Sequence, residues 1–566
     1  MIKIIKHIIR LNWTLERKYS TACPSNFRRG REDFNTFDKS RFPFRGLRGT
    51  DWNLNNIQVI FVKLSRNAFL LLCSVLILSS CDNWLDVNKN PNATTEVPFQ
   101  ELLAPSITSI AYIMGGRYQV LGALWSQHWT QAPGASQYKG IDSYDINSNT
   151  FNREFTNMYS EALMNLEEIK TRATEEKEWN YVFLATVLQV YAYEVLADLY
   201  DQIPFSEALK SEEGMDEPKW ENSSAIYDSL IARLDVVLNL DLEKDSLEIP
   251  EETDLLFGDL DNSMDYWKQF ANTLKLKIYL RQSEIHPIKA GAGITQLYQD
   301  EVDFLEGDAA VSVYSDVSGR RNPVYETDVI TLGNPNLILS RTLHSYLEKH
   351  GDYDRLDALF NTPESGSAHK SLPQGDYNPA DEPSGITSSS YSKPYLYASA
   401  PVFLMSYEES YFLQCEAIIR YGLEDYDKAL EKYQDAILIS YYRIMGADAF
   451  DIAKYFYSSE YRFPSEGSDL EYFIESIIMQ KWVALANKQS LETFFEHNRT
   501  GYPAISATDA DDEDYEPGTF TVSVNNVTSG RFPKRLIFPE SEYATNRNTP
   551  DKKDVWEKIW WDVKNY

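Results

Sequence analysis

From about residue 99 onward, apolar positions recur mostly at the 3.6-residue period of an α-helix. Phe155, Met158, Tyr159, Ala162, Leu163 and Leu166 fall on one face of such a helix. Residues 179–200 form a longer run, apolar nearly throughout, stopped by the turn before Pro204. Residues 267–280 repeat the helical period. Lys275, Lys277 and Arg281 lie near the end of that segment, where cations suit the helix dipole. Residues 337–347 and 473–495 read the same way. Strand-like pieces are few and short: 310–314, 520–524 and 536–538. The pattern predicts a mostly α fold with small β elements. Residues 410–443 place two helical patterns around Gly422, with Ala417, Ala429 and Ala436 where helices would approach closely. This resembles one tetratricopeptide repeat, a helix pair of 34 residues. Segments 154–200 and 220–282 are candidates for further degenerate copies.

The first hundred residues are organised differently. Lys63 and Arg66 precede a short apolar run, 68–78, and then Leu78-Ser79-Ser80-Cys81. A basic start, an apolar core and small residues before a cleavage point make an export signal. The run is too short for a bilayer span, which needs about 20 residues. Cys81 in the cleavage position is a lipobox, so the expectation is acylation of Cys81 and anchoring in a membrane leaflet. Such a signal belongs at a chain start. Residues 1–61 therefore read as a start assigned too early, with a GUG codon at Val62 the candidate initiator; a genuine extension is the alternative. The expected organisation is 1–61 extension, 62–80 signal peptide, 81–98 polar tether and 99–566 one globular domain.

The formal net charge is −31, and residues 1–80 are themselves basic, so the exported part is more acidic still. Such a field repels nucleic acid and anionic lipid. Beyond Cys81 the remaining cysteine is Cys415, in an apolar helical run, where it reads as a small buried hydrophobe. No H-E-x-x-H, C-x-x-C, G-x-S-x-G or phosphate-loop pattern occurs. No cofactor is expected. The acidic stretch 509–514 reads first as a solvated charge run and second as a Ca²⁺ site; it lacks the glycine of an EF-hand turn. Paired carboxylates of a glycosidase cannot be picked out among so many acids. Aromatic content is 13%, and long loops at 130–150, 315–335 and 361–400 are rich in Gly, Pro, Ser, Asn and Tyr.

Several stretches together resemble the SusD/RagB family of surface nutrient-binding lipoproteins. They are CDNWLDVNKNPN after the lipobox, LADLYDQIPFSEAL (196–209), WKQFANTLKLKIYLR (267–281), SYEESYFLQCEA (406–417), QKWVALANKQSLETFFEHNRTGYP (480–503), RFPKRLIFPESEYATN (531–546) and the closing WEKIWWD. Asp201 stands where the family pattern has Gly, and Phe205 where it has Tyr. The resemblance implies tetratricopeptide-like helix pairs with a ligand face made of loops. It implies no catalysis. It also implies a place on the outer membrane, facing the exterior, as a lid on a SusC-like TonB-dependent transporter that imports oligosaccharides, or peptides in the RagB branch.

Within those blocks, Gln480, Lys481, Trp482, Arg499 and Tyr502 read as scaffold, with Arg499 expected to pair with a helix carboxylate such as Glu492. Pro533, Arg535 and Pro539 suit a fixed crossing of the C-terminal segment. Sugar rings need aromatic faces and polar rims. The candidate contacts are Trp129, Gln131, Gln137, Tyr138 and Tyr144, with Tyr314, Tyr325, Tyr391 and Tyr395 as an opposing wall. Glycan capture leads. Peptide capture, a lipid-anchored glycosidase and a lid without its own ligand remain alternatives.

Overall fold

The apolar run at 179–200 forms a single helix with those bounds, and every residue from Tyr181 to Tyr200 is buried. A helix that is apolar all round belongs inside a fold. This one is long and apolar enough to cross a membrane, yet it lies wholly inside the protein. A computed structural model describes residues 97–564, apart from 243, 245, 246, 334, 365 and 379–385. The extension, the signal, Cys81 and nearly all of the tether lie outside the described residues.

Helix α1 (Leu103–Ile113) kinks at Gly116 before α2 (Gln119–Trp125) and strand β1 (Trp129–Gln131). Then come α3 (Met164–Glu176), the buried α4 (Trp179–Tyr200), β2 (Gln202–Pro204), β3 (Trp220–Asn222), α5 (Ser223–Leu238), α6 (Ser263–Arg281) and α7 (Pro287–Gln299). The middle of the chain gives β4 (Ala309–Val311), β5 (Leu337–Leu339), α8 (Arg341–Lys349), α9 (Tyr353–Leu359), β6 (Phe360–Asn361), β7 (Lys393–Pro394) and β8 (Val402–Met405). The last large helices are α10 (Tyr407–Tyr421), α11 (Tyr426–Met445), α12 (Ala449–Ser458), α13 (Leu470–Ala484) and α14 (Ser490–Thr500). The strands pair two by two, all antiparallel: β1 with β5, β2 with β3, β4 with β8, and β6 with β7.

The predicted repeat unit is the pair α10–α11. Ser406 and Asp425 cap the two helices by accepting from the Glu409 and Lys428 N–H groups. Gly422 ends α10 at φ 58°, a conformation glycine adopts without steric cost. Ala417, Ala429 and Ala436 are fully buried between the helices. The Cys415 thiol, also buried, donates to the Ala429 carbonyl at 3.2 Å.

Four expectations need correction. Segment 337–347 is a strand followed by a helix, because Leu337–Leu339 pairs with β1 and Ser340 caps α8. Segment 473–495 is two helices, broken at a turn in which Asn487 has φ 64°. Asparagine tolerates that left-handed region better than most residues. Residues 520–524 and 536–538 form no strand, for want of a ladder partner; Phe520 makes one isolated bridge to Ile505. Arg499 does not pair with Glu492. Its guanidinium grips Glu416 of α10 with two bonds, at 2.6 and 2.8 Å, and also bonds Glu496.

That pair belongs to a buried ionic core between α4, α6, α10, α13 and α14. Arg281 reaches Glu492 and Glu496 at 2.6 Å each and Asp198 at 3.1 Å. Lys277 lies 3.2 Å from Glu194, and Lys481 lies 3.6–3.8 Å from Glu409, Glu492 and Glu496. Six carboxylates (Glu194, Asp198, Glu409, Glu416, Glu492, Glu496) thus share five cations (Lys277, Arg281, Arg420, Lys481, Arg499), Arg420 bonding Glu416 at 2.6 Å. The division is uneven. Burial disfavours charge on Glu492, but Arg281, Lys277 and Lys481 overcome it and hold this acid down to about 2. For Glu194, burial prevails with help from Asp198 and Glu492, and its pKa rises to about 7. Glu409 also rises to about 7, chiefly by burial.

The C-terminal segment crosses the end of α4. The Leu536 N–H donates to the Leu199 carbonyl at 2.7 Å, and the Trp561 indole N–H to Asp198 at 2.8 Å. Asp201, in the family's glycine position, has φ 63°, and its carboxylate accepts the Trp560 N–H at 2.9 Å.

Candidate ligand-binding site

Most of the aromatics expected to meet a ligand instead pin loops to the core. Trp129 sits in β1 opposite Leu339, fully buried, and its indole N–H donates to Asn487 Oδ1 at 2.7 Å. Gln131 is buried too. Its Oε1 accepts the Tyr138 N–H at 2.8 Å, and its Nε2 donates to the Ala132 carbonyl at 3.1 Å. Tyr138 is buried. Tyr144 is buried against Phe532, and its hydroxyl accepts the Ser523 N–H at 3.2 Å. Tyr391 is buried among Ala132, Ile338 and Leu372, with the Lys370 ammonium 4.9 Å above its ring. These five are corrected from ligand wall to loop anchors. Gln137 is exposed and its backbone N–H donates to Asn336 Oδ1 at 3.1 Å, while Tyr314 and Tyr325 are half-buried. Tyr395 is 52% exposed and, alone of the nine, lines the cavity described next.

The cavity measures about 600 Å³. Tyr395 and Tyr397, 43% exposed, stand together on its wall with ring centroids 5.7 Å apart at 36°. The β6–β7 pairing fixes their place, since the Tyr395 N–H donates to the Leu359 carbonyl at 2.8 Å. Asp357 and Asn361 come from the end of α9 and β6, Ser440 and Arg443 from the last turns of α11, Phe403 from β8, and Asn487 and Lys488 from the turn between α13 and α14. The tetratricopeptide-like unit and the 353–405 segment therefore meet across this space. Trp129 contributes from behind: it orients Asn487, whose Nδ2 donates to the Leu359 carbonyl at 2.7 Å.

Electrostatically the floor is balanced. Arg443 uses both faces of its fork, on Asp308 at 2.8 and 2.9 Å and on Glu408 at 2.7 and 3.1 Å. Lys488 bonds the same Glu408. Burial pulls the Lys488 ammonium down to about 8, with Glu408 opposing and Arg443 assisting. Burial works against charge on Glu408 as well, yet Arg443 and Lys488 hold it at about 2. Arg355 is committed to Asp352 at 2.5 Å and Gln480 at 3.1 Å, between the rings of Tyr441 and Tyr461.

A file of Ser392, His369 and Asp357 runs toward the cavity, with contacts of 2.9 and 2.8 Å. Its order is that of nucleophile, base and orienting acid. Ser392 is fully buried and already accepts the Lys370 N–H, whereas the carboxylate end is the exposed one. A hydroxyl without exposed surface meets no substrate carbonyl, so the file fastens the loop to α9. No group of three or more potential metal-ligating side chains occurs among the described residues. The acidic stretch 509–514 includes a salt bridge from Asp511 to Arg341 at 3.1 Å. Sequence reasoning missed Tyr397, Asp357, Asn361, Asn487 and Lys488. The available signal was the Tyr-x-Tyr spacing at 395–397, inside a loop already flagged for its composition.

A SusD-like family model, described as "Starch-binding associating with outer membrane", matches residues 91–520. No protein with a curated description matches. Among solved structures, a SusD/RagB family protein from Bacteroides thetaiotaomicron is 22% identical, with TM-score 0.66 over 83% of this chain and 100% of that one. A chitin-binding SusD homologue from Flavobacterium johnsoniae is 18% identical, with TM-score 0.66 over 82% and 99%. A SusD homologue from Bacteroides uniformis is 18% identical, with TM-score 0.63 over 82% and 99%. These likenesses establish a shared fold, and the match over most of its length establishes that this chain belongs to the SusD-like family.

Proposed function

We propose that this protein is a cell-surface lipoprotein, anchored through Cys81, that captures oligosaccharides and passes them to a SusC-like TonB-dependent transporter. The observation that carries the reading is the Tyr395–Tyr397 pair on the wall of the 600 Å³ cavity. Aromatic faces cover the C–H faces of sugar rings, and Asn361, Ser440 and Asp357 supply polar groups for the hydroxyl rim. The chitin-binding relative adds support for a saccharide ligand. The test is calorimetry with the full chain in mild detergent against neutral glycans, acidic glycans and mixed peptides. Micromolar-to-millimolar binding of a glycan class is the expected result. Binding of peptides alone would overturn it in favour of peptide capture.

A further inference from the structure

The cations of the cavity floor are balanced by acids of the protein, and one acid on the cavity wall stands outside that balance. Three cations line the cavity: Arg355, Arg443 and Lys488. Each is held by an acid of the protein, Arg355 by Asp352, Arg443 by Asp308 and Glu408, and Lys488 by Glu408. Each of the three is therefore charge-paired within the protein, and Arg355 keeps one buried guanidinium nitrogen, Nη1, without a hydrogen-bond partner. A fourth acid, Asp357, also lines the cavity, and among the described residues its ion-pair partner is His369, which is charged only when protonated. Its Oδ1 contacts His369 Nε2 at 2.8 Å, and its side chain is 69% exposed. Tyr395 is anchored to Leu359, two residues along from Asp357, and its ring and that of Tyr397 are open. A carboxylate beside open aromatic faces is the chemistry that receives an ammonium, through an ion pair and cation–π contact. The net charge of the whole chain, −31, has the same sign.

Resting on the glycan-binding reading above, we infer that the cavity sorts glycans by charge: it favours oligosaccharides bearing free amino groups over neutral ones and disfavours acidic ones, with Asp357 as the residue that reads the charge. Because Asp357 is largely exposed, the preference is modest, about fivefold for a single solvated pair.

The test holds the backbone constant and varies charge. β-1,4-linked hexamers of glucosamine, glucose and glucuronate are titrated at pH 7, where an ordinary imidazole is mostly neutral, into the full chain in mild detergent, at low and at high NaCl. The glucosamine hexamer binds about fivefold tighter than the glucose hexamer, the glucuronate hexamer binds weakest, and salt narrows the spread. Asp357→Asn collapses the amino-to-neutral ratio toward one, and Asp357→Glu restores it. Tightest binding by the glucuronate hexamer, or an amino-to-neutral ratio unmoved by Asp357→Asn, overturns the inference while leaving glycan capture intact. Failure of all three hexamers, together with failure of the wider glycan panel, overturns the glycan reading itself and this inference with it.

Discussion

Replacing Glu194 with Gln makes the protein less sensitive to alkaline pH. Glu194 is fully buried, 3.2 Å from Lys277, in a core where six carboxylates share five cations. Its pKa rises to about 7 because burial, Asp198 and Glu492 together outweigh Lys277 and Arg281. In the unfolded chain the same group titrates near 4.3. Below that value both states hold the proton and the contribution to stability is complete. Between the two values only the folded state holds it, so stability falls as pH rises, by about 1.4 kcal/mol per pH unit. From pH 5 to pH 8 this single group therefore removes about 3 kcal/mol, an order-of-magnitude figure. Glutamine matches the protonated acid in shape and cannot titrate. Titrating groups outside the ionic core, such as His128 and His497, whose pKa values burial lowers to about 3, act equally in both proteins and cancel in the comparison. Urea unfolding followed by tryptophan fluorescence at pH 5, 6, 7 and 8 measures the difference. Glu194→Gln gains about 3 kcal/mol relative to the parent between the ends of that range. A difference that stays flat, or that shrinks as pH rises, refutes the reasoning.

Arg499→Met leaves Glu416 and Glu496 buried with one cation fewer, and is expected to cost about 3–5 kcal/mol in the same unfolding assay, the range for breaking a buried pair. Trp129→Ala empties a fully buried site and removes the donor to Asn487; a loss of about 3–5 kcal/mol is expected, whereas Trp129→Phe retains most of the packing and loses the bond. Cys415 is buried, and burial raises its thiol pKa well above the ordinary value. Maleimide labelling of Cys415 at pH 8, read on the peptide that contains it, is therefore expected to be negligible in the folded chain and complete in urea.

Helix types and many bounds were legible because burial patterns repeat at a fixed period. The 179–200 run and the pair flanking Gly422 folded much as their patterns predict. Short apolar runs were not legible. Leu337-Ile338-Leu339 suits a helix or a strand equally, and its pairing with β1, two hundred residues upstream, decides. The charged positions within the family-like blocks, Asp198, Lys277, Arg281, Glu409, Glu416, Lys481, Glu492, Glu496 and Arg499, make up most of the buried ionic core. Sequence placed Arg499 on a scaffold but could not choose among carboxylates one helical turn apart, and the partner on α10 depends on tertiary packing. The ligand face was hardest to read. Trp129, Tyr138, Tyr144 and Tyr391 share their loop-like surroundings with Tyr395 and Tyr397. Whether a loop aromatic points inward or outward depends on the registers of β1–β5 and β6–β7, which local composition does not encode.

The central claim is that the Tyr395–Tyr397 pair receives the glycan. Its direct test is calorimetric titration of Tyr395→Ala/Tyr397→Ala with the best glycan from the panel, alongside Trp129→Phe, with circular dichroism confirming that each variant is folded. The account predicts that the double variant loses at least about tenfold in affinity, as removal of two stacking faces requires, and that Trp129→Phe stays within about threefold of the parent. An unchanged affinity in the folded double variant, or a larger loss in Trp129→Phe than in the double variant, contradicts it and moves the ligand face to the 129–144 segment.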